Sequence, residues 1–133
     1  MSGAYPSERF EGVERLYGAG SVARLAHKHV CVVGIGGVGS WAAEALARSG
    51  VGRLTLIDAD EVCVSNTNRQ LHALDGEYGK PKVGVIAARA HAINPAIRLE
   101  AIERFLTPAT LDDLLDRGYD VVLDACDAFR VKL

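Results

Sequence analysis

The stretch that most constrains this chain is His29-Val30-Cys31-Val32-Val33-Gly34-Ile35-Gly36-Gly37-Val38-Gly39-Ser40. A mostly β-branched apolar run breaks into four glycines and then enters the helical pattern Trp41-Ala42-Ala43-Glu44-Ala45-Leu46-Ala47. That order predicts a strand, a tight turn and a helix. Glycines at 34, 36 and 39 satisfy G-x-G-x-x-G. A turn this tight, carrying backbone close to a phosphate, needs residues without Cβ, and the free N–H groups of a helix start attract anions. Asp58 closes the next apolar run, Leu54-Thr55-Leu56-Ile57. It lies about 20 residues past the glycines, the spacing of a ribose-binding acid.

The chain of 133 residues fits one domain with a single core. Hydrophobic content of 49% beside 24% charged residues excludes wholesale disorder. A net charge of −2 gives no global basic field, so any nucleic-acid contact requires a local patch or further chain. The three cysteines at 31, 63 and 126 fit reduced thiols in a cytosol-like compartment, and no C-x-x-C pair suggests zinc. Nucleophilic catalysis by any of them is not expected. The N-terminus lacks a signal-peptide pattern, and no apolar run approaches the about 18 residues of a membrane span. A cytoplasmic setting is expected.

Residues 1–28 read as a helical lead-in and 29–133 as the core. Ser7 is placed to cap a helix reaching Tyr17, and Gly18-Ala19-Gly20 separates it from a second helix over 22–26. After the glycine turn, Val38, Trp41, Ala42, Ala45 and Leu46 recur at helical spacing and are expected to face the sheet, with Gly50 as a left-handed cap. A second strand over 53–58 leads into a polar connection over 59–80, long enough to be functional. Pro81 opens a helix that Asn94-Pro95 stops. A third strand follows over 97–105. Thr107 as cap with Pro108 at the first helical position opens a helix over 109–117, and Gly118 ends it before a fourth strand over 119–124. Strands alternating with helices, and apolar runs without polar alternation, predict an α/β, Rossmann-like, mainly parallel sheet covered on both faces.

The loop Asp58-Ala59-Asp60-Glu61-Val62-Cys63-Val64-Ser65-Asn66-Thr67-Asn68-Arg69-Gln70-Leu71-His72 carries acids, amides and one arginine. An NAD site leaves its pyrophosphate intact and does not need that arginine. An enzyme that breaks the α–β bond of ATP must stabilise charge growing on the departing pyrophosphate, which Arg69 and Lys82 can do. At the tip of the fourth strand, Asp124-Ala125-Cys126-Asp127 sets two carboxylates beside the glycine turn, where Mg²⁺ would bridge carboxylate and phosphate; Asp127, beyond the strand, is the favoured ligand. Simpler roles compete: Asp58 as a turn cap, Arg69 as a solvated loop residue, Lys82 as a solvated helix lysine and Asp127 as a helix cap. The four histidines have no metal-ligand spacing and are assigned surface or packing roles.

Six segments in one order resemble the HesA/MoeB/ThiF family of ubiquitin-activating-like adenylating enzymes: Gly34-Ile35-Gly36-Gly37-Val38-Gly39, Leu56-Ile57-Asp58-Ala59-Asp60, Ser65-Asn66-Thr67-Asn68-Arg69-Gln70, Gly79-Lys80-Pro81-Lys82, Ile93-Asn94-Pro95 and Asp124-Ala125-Cys126-Asp127. The resemblance implies ATP and Mg²⁺ as cofactors. It assigns Gly34, Gly36, Gly37 and Gly39 to the phosphate turn, Asp58 to the ribose, and Asn68, Arg69 and Lys82 to the phosphates. Asp60 and Asn66 join the nucleotide site, and Asp127 is the metal-site aspartate; Arg69, Lys82 and Asp127 form the catalytic set.

Residues 39–48 and 62–74 are similar to the branch of that family that activates the carboxylate of N6-threonylcarbamoyladenosine in tRNA. Adenylation there would let the modification's own nitrogen close a ring with net loss of water. The resemblance further implies a homodimer, an N-terminal arginine (Arg9 or Arg15) inserted into the partner subunit's site, and a cysteine-desulfurase system as partner. It also reads the chain as the N-terminal part of a longer protein, catalytically silent alone. Ala128 departs from the asparagine that sulfur-carrier activators often hold there. The competing readings are an adenylyltransferase for a ubiquitin-like sulfur carrier, and an NAD-dependent oxidoreductase or nucleotide-sensing domain.

Overall fold

The structure is a computed structural model and describes residues 8–126. The expected cap Ser7 and the aspartate Asp127 lie outside them. Two short helices, α1 (Glu11–Tyr17) and α2 (Ser21–Ala26), lead into β1 (His29–Val33). Next come α3 (Gly39–Arg48), β2 (Arg53–Ile57), a 3-10 turn (Val64–Asn66), α4 (Lys82–Ile93), β3 (Arg98–Ile102), α5 (Leu111–Leu115) and β4 (Val121–Asp124).

The four strands form one parallel sheet in the order β3-β2-β1-β4. The chain steps from β1 outward through β2 to β3, then returns to the other side of β1 as β4. That reversal makes a topological switch point between the carboxyl ends of β1 and β4, where parallel sheets open a ligand crevice.

Side chains alternate across the sheet and split the core in two. On one face Val30, Val32, Leu54 and Leu56 pack against Ala43 and Ala47 of α3 and Val83, Ile86 and Ala90 of α4. On the other, Cys31, Val33 and Ile57 meet Leu114 of α5. Helices therefore lie on both faces, as expected, but the second face is thinly covered. Among the described residues the fourth strand, expected to be covered on both faces, lies at the sheet edge with Val121 48% and Val122 41% exposed.

Three local expectations need correction. The face that α3 turns to the sheet is Gly39, Ser40, Ala43 and Ala47; of the expected residues Leu46 packs against the core, while Val38 and Trp41 stand in solvent. The small residues let the helix approach closely: a Cβ on Gly39 would meet the Gly34 carbonyl oxygen at 1.7 Å. Large apolar residues at helical spacing lose to this close contact. The last helix starts at Leu111 with Thr110 as its cap position, rather than with Thr107 and Pro108. Residues 107–110 form a turn, because Thr110 Oγ1 takes the Thr107 N–H at 2.9 Å and gives its own proton to the Phe105 carbonyl at 3.0 Å. β3 and β4 are also shorter than expected, bounded where the parallel ladder with their single neighbours stops.

Candidate functional site

Gly34 leaves β1 with φ of +89°, and its missing side chain leaves room for the end of β4: a Cβ there would lie 2.9 Å from the Ala125 backbone. Gly36 and Gly37 differ. The nearest atoms to added Cβ atoms would be side-chain atoms of Gln70 and Arg69, at 3.6 Å, which is ordinary contact, so these two glycines keep a cavity open rather than relieve a backbone clash.

Side chains from three elements hold the turn. Asp58, at the end of β2, accepts the Ile35 N–H on Oδ2 at 2.7 Å and the Asp60 N–H on Oδ1 at 2.8 Å. It does cap the next turn, but a carboxylate has about four acceptor positions, so two remain for hydroxyl donors. Ser40 Oγ donates to the Gly36 carbonyl and accepts the Leu71 N–H at 3.3 Å. His72, 1% exposed, meets the Ile35 carbonyl through Nε2 at 2.9 Å.

The long connection after β2 is folded back on itself. Val62 donates to the Lys80 carbonyl, Gly79 to that of Val62, and Lys82 to that of Asp60, each at 2.8–3.1 Å. Asn66 Oδ1 takes the Cys63 N–H at 2.8 Å and closes the 3-10 turn. Gln70 and Ala73 are buried with His72 beneath the glycine turn. The packing holds the loop against the crevice, so its polar residues are positioned.

The result is a cavity of about 500 Å³ at the switch point. Gly34, Gly36, Gly37, Asp58, Asp60, Asn66, Arg69 and Lys82 all line it. Gly39 sits behind it in the helix–strand contact. Asn68 is not in the wall: it is exposed, and its Oδ1 accepts Arg69 Nη1 at 2.9 Å. Arg69 Nη1 also donates to the Ser65 carbonyl at 3.1 Å, which leaves Nη2 and Nε without a hydrogen-bond partner among the described residues. Trp41 Nε1 donates to the Arg69 carbonyl at 3.0 Å and pins the backbone of that residue.

Lys82 departs from the solvated-lysine alternative. The residue is 6% exposed and lines the cavity, and its ammonium makes no hydrogen bond or ion pair among the described residues. An ammonium that opens on a cavity without an acid partner is placed to pair with an anion there. The N–H groups of Gly36 and Gly37 likewise donate to nothing among the described residues. Two backbone donors, one unpaired ammonium and one half-free guanidinium around a single cavity make an anion site.

Sequence reasoning missed four parts of the wall. Arg104, Phe105 and Leu106 line the end under β3, where Phe105 and Leu106 offer an apolar surface. Gln70 is buried with Oε1 unpartnered; its place next to Arg69 in the quoted segment was the available signal. Of the partner-site candidates, Arg9 donates to the Ile93 carbonyl at 3.0 Å and Arg15 pairs with Glu11 at 3.2 Å, so neither engages this pocket.

The cysteines behave as structural or loop thiols. Burial pushes the Cys31 thiol up to about 11, far from a thiolate at neutral pH. Cys63 is exposed, and Cys126 lines the cavity while packing on the second core cluster. Among the described residues no group of three or more His, Cys, Asp or Glu side chains is placed to hold a metal ion, and no helix is long and apolar enough to cross a membrane.

Comparison with known proteins agrees with this geometry. The chain is 53% identical over 125 residues to the tRNA threonylcarbamoyladenosine dehydratase of Haemophilus influenzae, covering 94% of this chain and 48% of that one. It is 46% identical over 125 residues to the Bacillus subtilis enzyme of the same description, covering 94% of this chain and 49% of that one. A crystal structure of the Escherichia coli tRNA N6-threonylcarbamoyladenosine dehydratase in complex with ATP superposes with a TM-score of 0.93 at 52% identity, covering 95% of this chain and 52% of that one. The chain thus spans about half the length of the curated relatives it matches. A profile described as the ThiF family matches residues 12–133, and the chain belongs to that family.

Proposed function

We propose that the pocket binds ATP with Mg²⁺, and that the full-length protein uses it to adenylate the carboxylate of N6-threonylcarbamoyladenosine in tRNA. The observation that carries the nucleotide reading is Lys82, a residue 6% exposed whose ammonium has no acid partner among the described residues and lines a cavity with Gly36, Gly37 and Arg69. The dehydratases at 46–53% identity support the substrate, and the ATP complex of the similar structure supports the nucleotide.

In this reading Asp58 receives the ribose hydroxyls on its two remaining acceptor positions, and Phe105 and Leu106 wall the base. The glycine turn, Asn66 and Lys82 hold the phosphates. Arg69 directs its unpaired nitrogens at the departing pyrophosphate, whose charge grows in the transition state. Asp127, outside the described residues, is the metal ligand in this reading because the segment Asp124-Ala125-Cys126-Asp127 resembles that of the family. Mg²⁺ would neutralise phosphate oxygens.

The substrate carboxylate attacks the α-phosphorus, and pyrophosphate leaves. The modification's nitrogen then attacks the acyl carbon and loses its proton, and AMP leaves with one former carboxylate oxygen. The sum is loss of water. A homodimer in which Arg9 or Arg15 reaches the partner subunit, a cysteine-desulfurase partner and a cytoplasmic setting complete the proposal; the three free thiols fit the last.

The test compares ligands by thermal unfolding of the full-length protein. ATP with Mg²⁺ should raise the midpoint more than NAD or NADP at equal concentration, because only binding to the native state stabilises it. Stronger stabilisation by NAD would overturn the adenylation reading.

A further inference from the structure

We infer that His72 is a positioning residue for the phosphates: its imidazole fixes the Ile35–Gly36 peptide so that the Gly36 N–H faces the cavity. The inference rests on the nucleotide reading and adds a residue to it.

Peptide planarity couples the two ends of each peptide unit. In a trans peptide the C=O of one residue and the N–H of the next point in opposite directions, so holding one aims the other. The Ile35 carbonyl is held on the buried side by His72 Nε2 at 2.9 Å. The Gly36 N–H of the same peptide therefore points away from His72. Gly36 lines the cavity, and its N–H meets no acceptor among the described residues. The preceding peptide is set independently, by Asp58 accepting the Ile35 N–H at 2.7 Å. The following one is set by Ser40 donating to the Gly36 carbonyl, which aims the Gly37 N–H in the same manner. Three successive peptides of the turn are thus each fixed by a side chain.

The imidazole is suited to that task. With Nε2 donating to a carbonyl, the proton is on Nε2 and Nδ1 is an acceptor; Nδ1 is buried and has no partner. Protonating it would add a buried donor without an acceptor and a second cation beside Lys82, against only the carboxylate of Asp58. Burial, the largest cause, and Lys82 both hold the imidazole below its ordinary value, while the Ile35 carbonyl and Asp58 oppose them. The ring stays neutral, in the tautomer that the Ile35 carbonyl requires.

The test uses the full-length protein with ATP and adenosine as probes, measured by titration calorimetry well below the unfolding midpoint of each variant. His72→Phe keeps an aromatic ring and removes the donor; His72→Gln returns an N–H near the position of Nε2. ATP affinity should fall roughly tenfold in His72→Phe, the loss of one well-aimed charge-assisted hydrogen bond. Adenosine affinity should stay within about twofold, and His72→Gln should recover most of the ATP affinity. Equal losses for both probes, or unchanged ATP affinity in folded His72→Phe, would overturn the inference and leave the nucleotide reading standing. If His72→Phe does not fold, His72→Gln decides: ATP affinity near that of the wild type supports the clamp, and a loss shared with adenosine refutes it. Failure of the wild type to bind ATP would overturn both.

Discussion

Replacing Lys82 by methionine separates what the residue does for folding from what it does for a ligand. The change keeps a long unbranched stem and removes the ammonium. The stem of Lys82 is covered, the residue being 6% exposed, and its ammonium has no partner among the described residues. A phosphate arriving at about 4 Å gains roughly 4 kcal/mol of Coulomb energy at an effective dielectric near 20. Dehydrating the phosphate takes back a share, and about half is a reasonable remainder, in line with the ~2 kcal/mol of a hydrogen bond to a charged group. ATP affinity of Lys82→Met should therefore fall roughly thirtyfold. Denaturant unfolding without nucleotide should show little change in stability, because the ammonium removed makes no hydrogen bond or ion pair among the described residues. Calorimetric ATP titration and urea unfolding of the same two proteins settle it. Unchanged ATP affinity, or a clear loss of nucleotide-free stability with affinity kept, would refute the placement of Lys82 as an anion ligand.

Other variants probe separate parts of the account. In the full-length enzyme Arg69→Ala should cut turnover roughly a hundredfold while ATP affinity falls much less, and normal turnover at saturating ATP would return Arg69 to a surface role. Asp58→Ala should do the reverse, raising the Michaelis constant for ATP more than it lowers turnover, read from steady-state kinetics. Gly39→Ala should destabilise the fold by about 3 kcal/mol in urea unfolding, because its Cβ would meet the Gly34 oxygen at 1.7 Å. Hydrogen bonds from Arg89, foremost, and Arg48 hold the Glu44 carboxyl below its ordinary value. The folded state therefore binds this proton less readily than the unfolded chain, and the stability Glu44 contributes is present above the glutamate range near pH 4.3 and is lost as pH falls through and below it. Glu44→Gln should be less stable than wild type at neutral pH and converge with it in acid, as unfolding curves across pH would record.

Much of this was legible in the residues. The glycine spacing, the apolar runs and Asp58 specify strand, turn, helix and strand because each is a local preference with a long-range partner of matching period. α3 was misread for the opposite reason. Its buried face is chosen by how closely it must approach Gly34, which favours Gly39, Ser40 and Ala43 over Trp41 and Val38, and hydrophobic periodicity carries no measure of distance. The burial of Lys82 was equally invisible, because a lysine in the first turn of a helix looks the same whether the preceding loop folds over it or not. His72 and Ser40 escaped as holders of the turn since their partners are backbone carbonyls, which no side-chain pattern reveals. The apolar run at 121–123 fits a strand between neighbours, whereas among the described residues β4 lies at the sheet edge.

The adenylation claim makes a prediction about where one oxygen atom goes. Threonylcarbamoylated tRNA with both carboxylate oxygens replaced by a heavy isotope is incubated with the full-length enzyme, ATP and Mg²⁺, and the nucleotide products and the nucleoside are analysed by mass spectrometry. Attack of that carboxylate on the α-phosphorus requires the label to appear in AMP, one atom for each cyclised nucleoside formed, with pyrophosphate unlabelled. Label in inorganic phosphate together with ADP would mean attack at the γ-phosphorus. An unchanged tRNA beside an adenylated ubiquitin-like carrier would mean a different substrate, and either result would contradict the account.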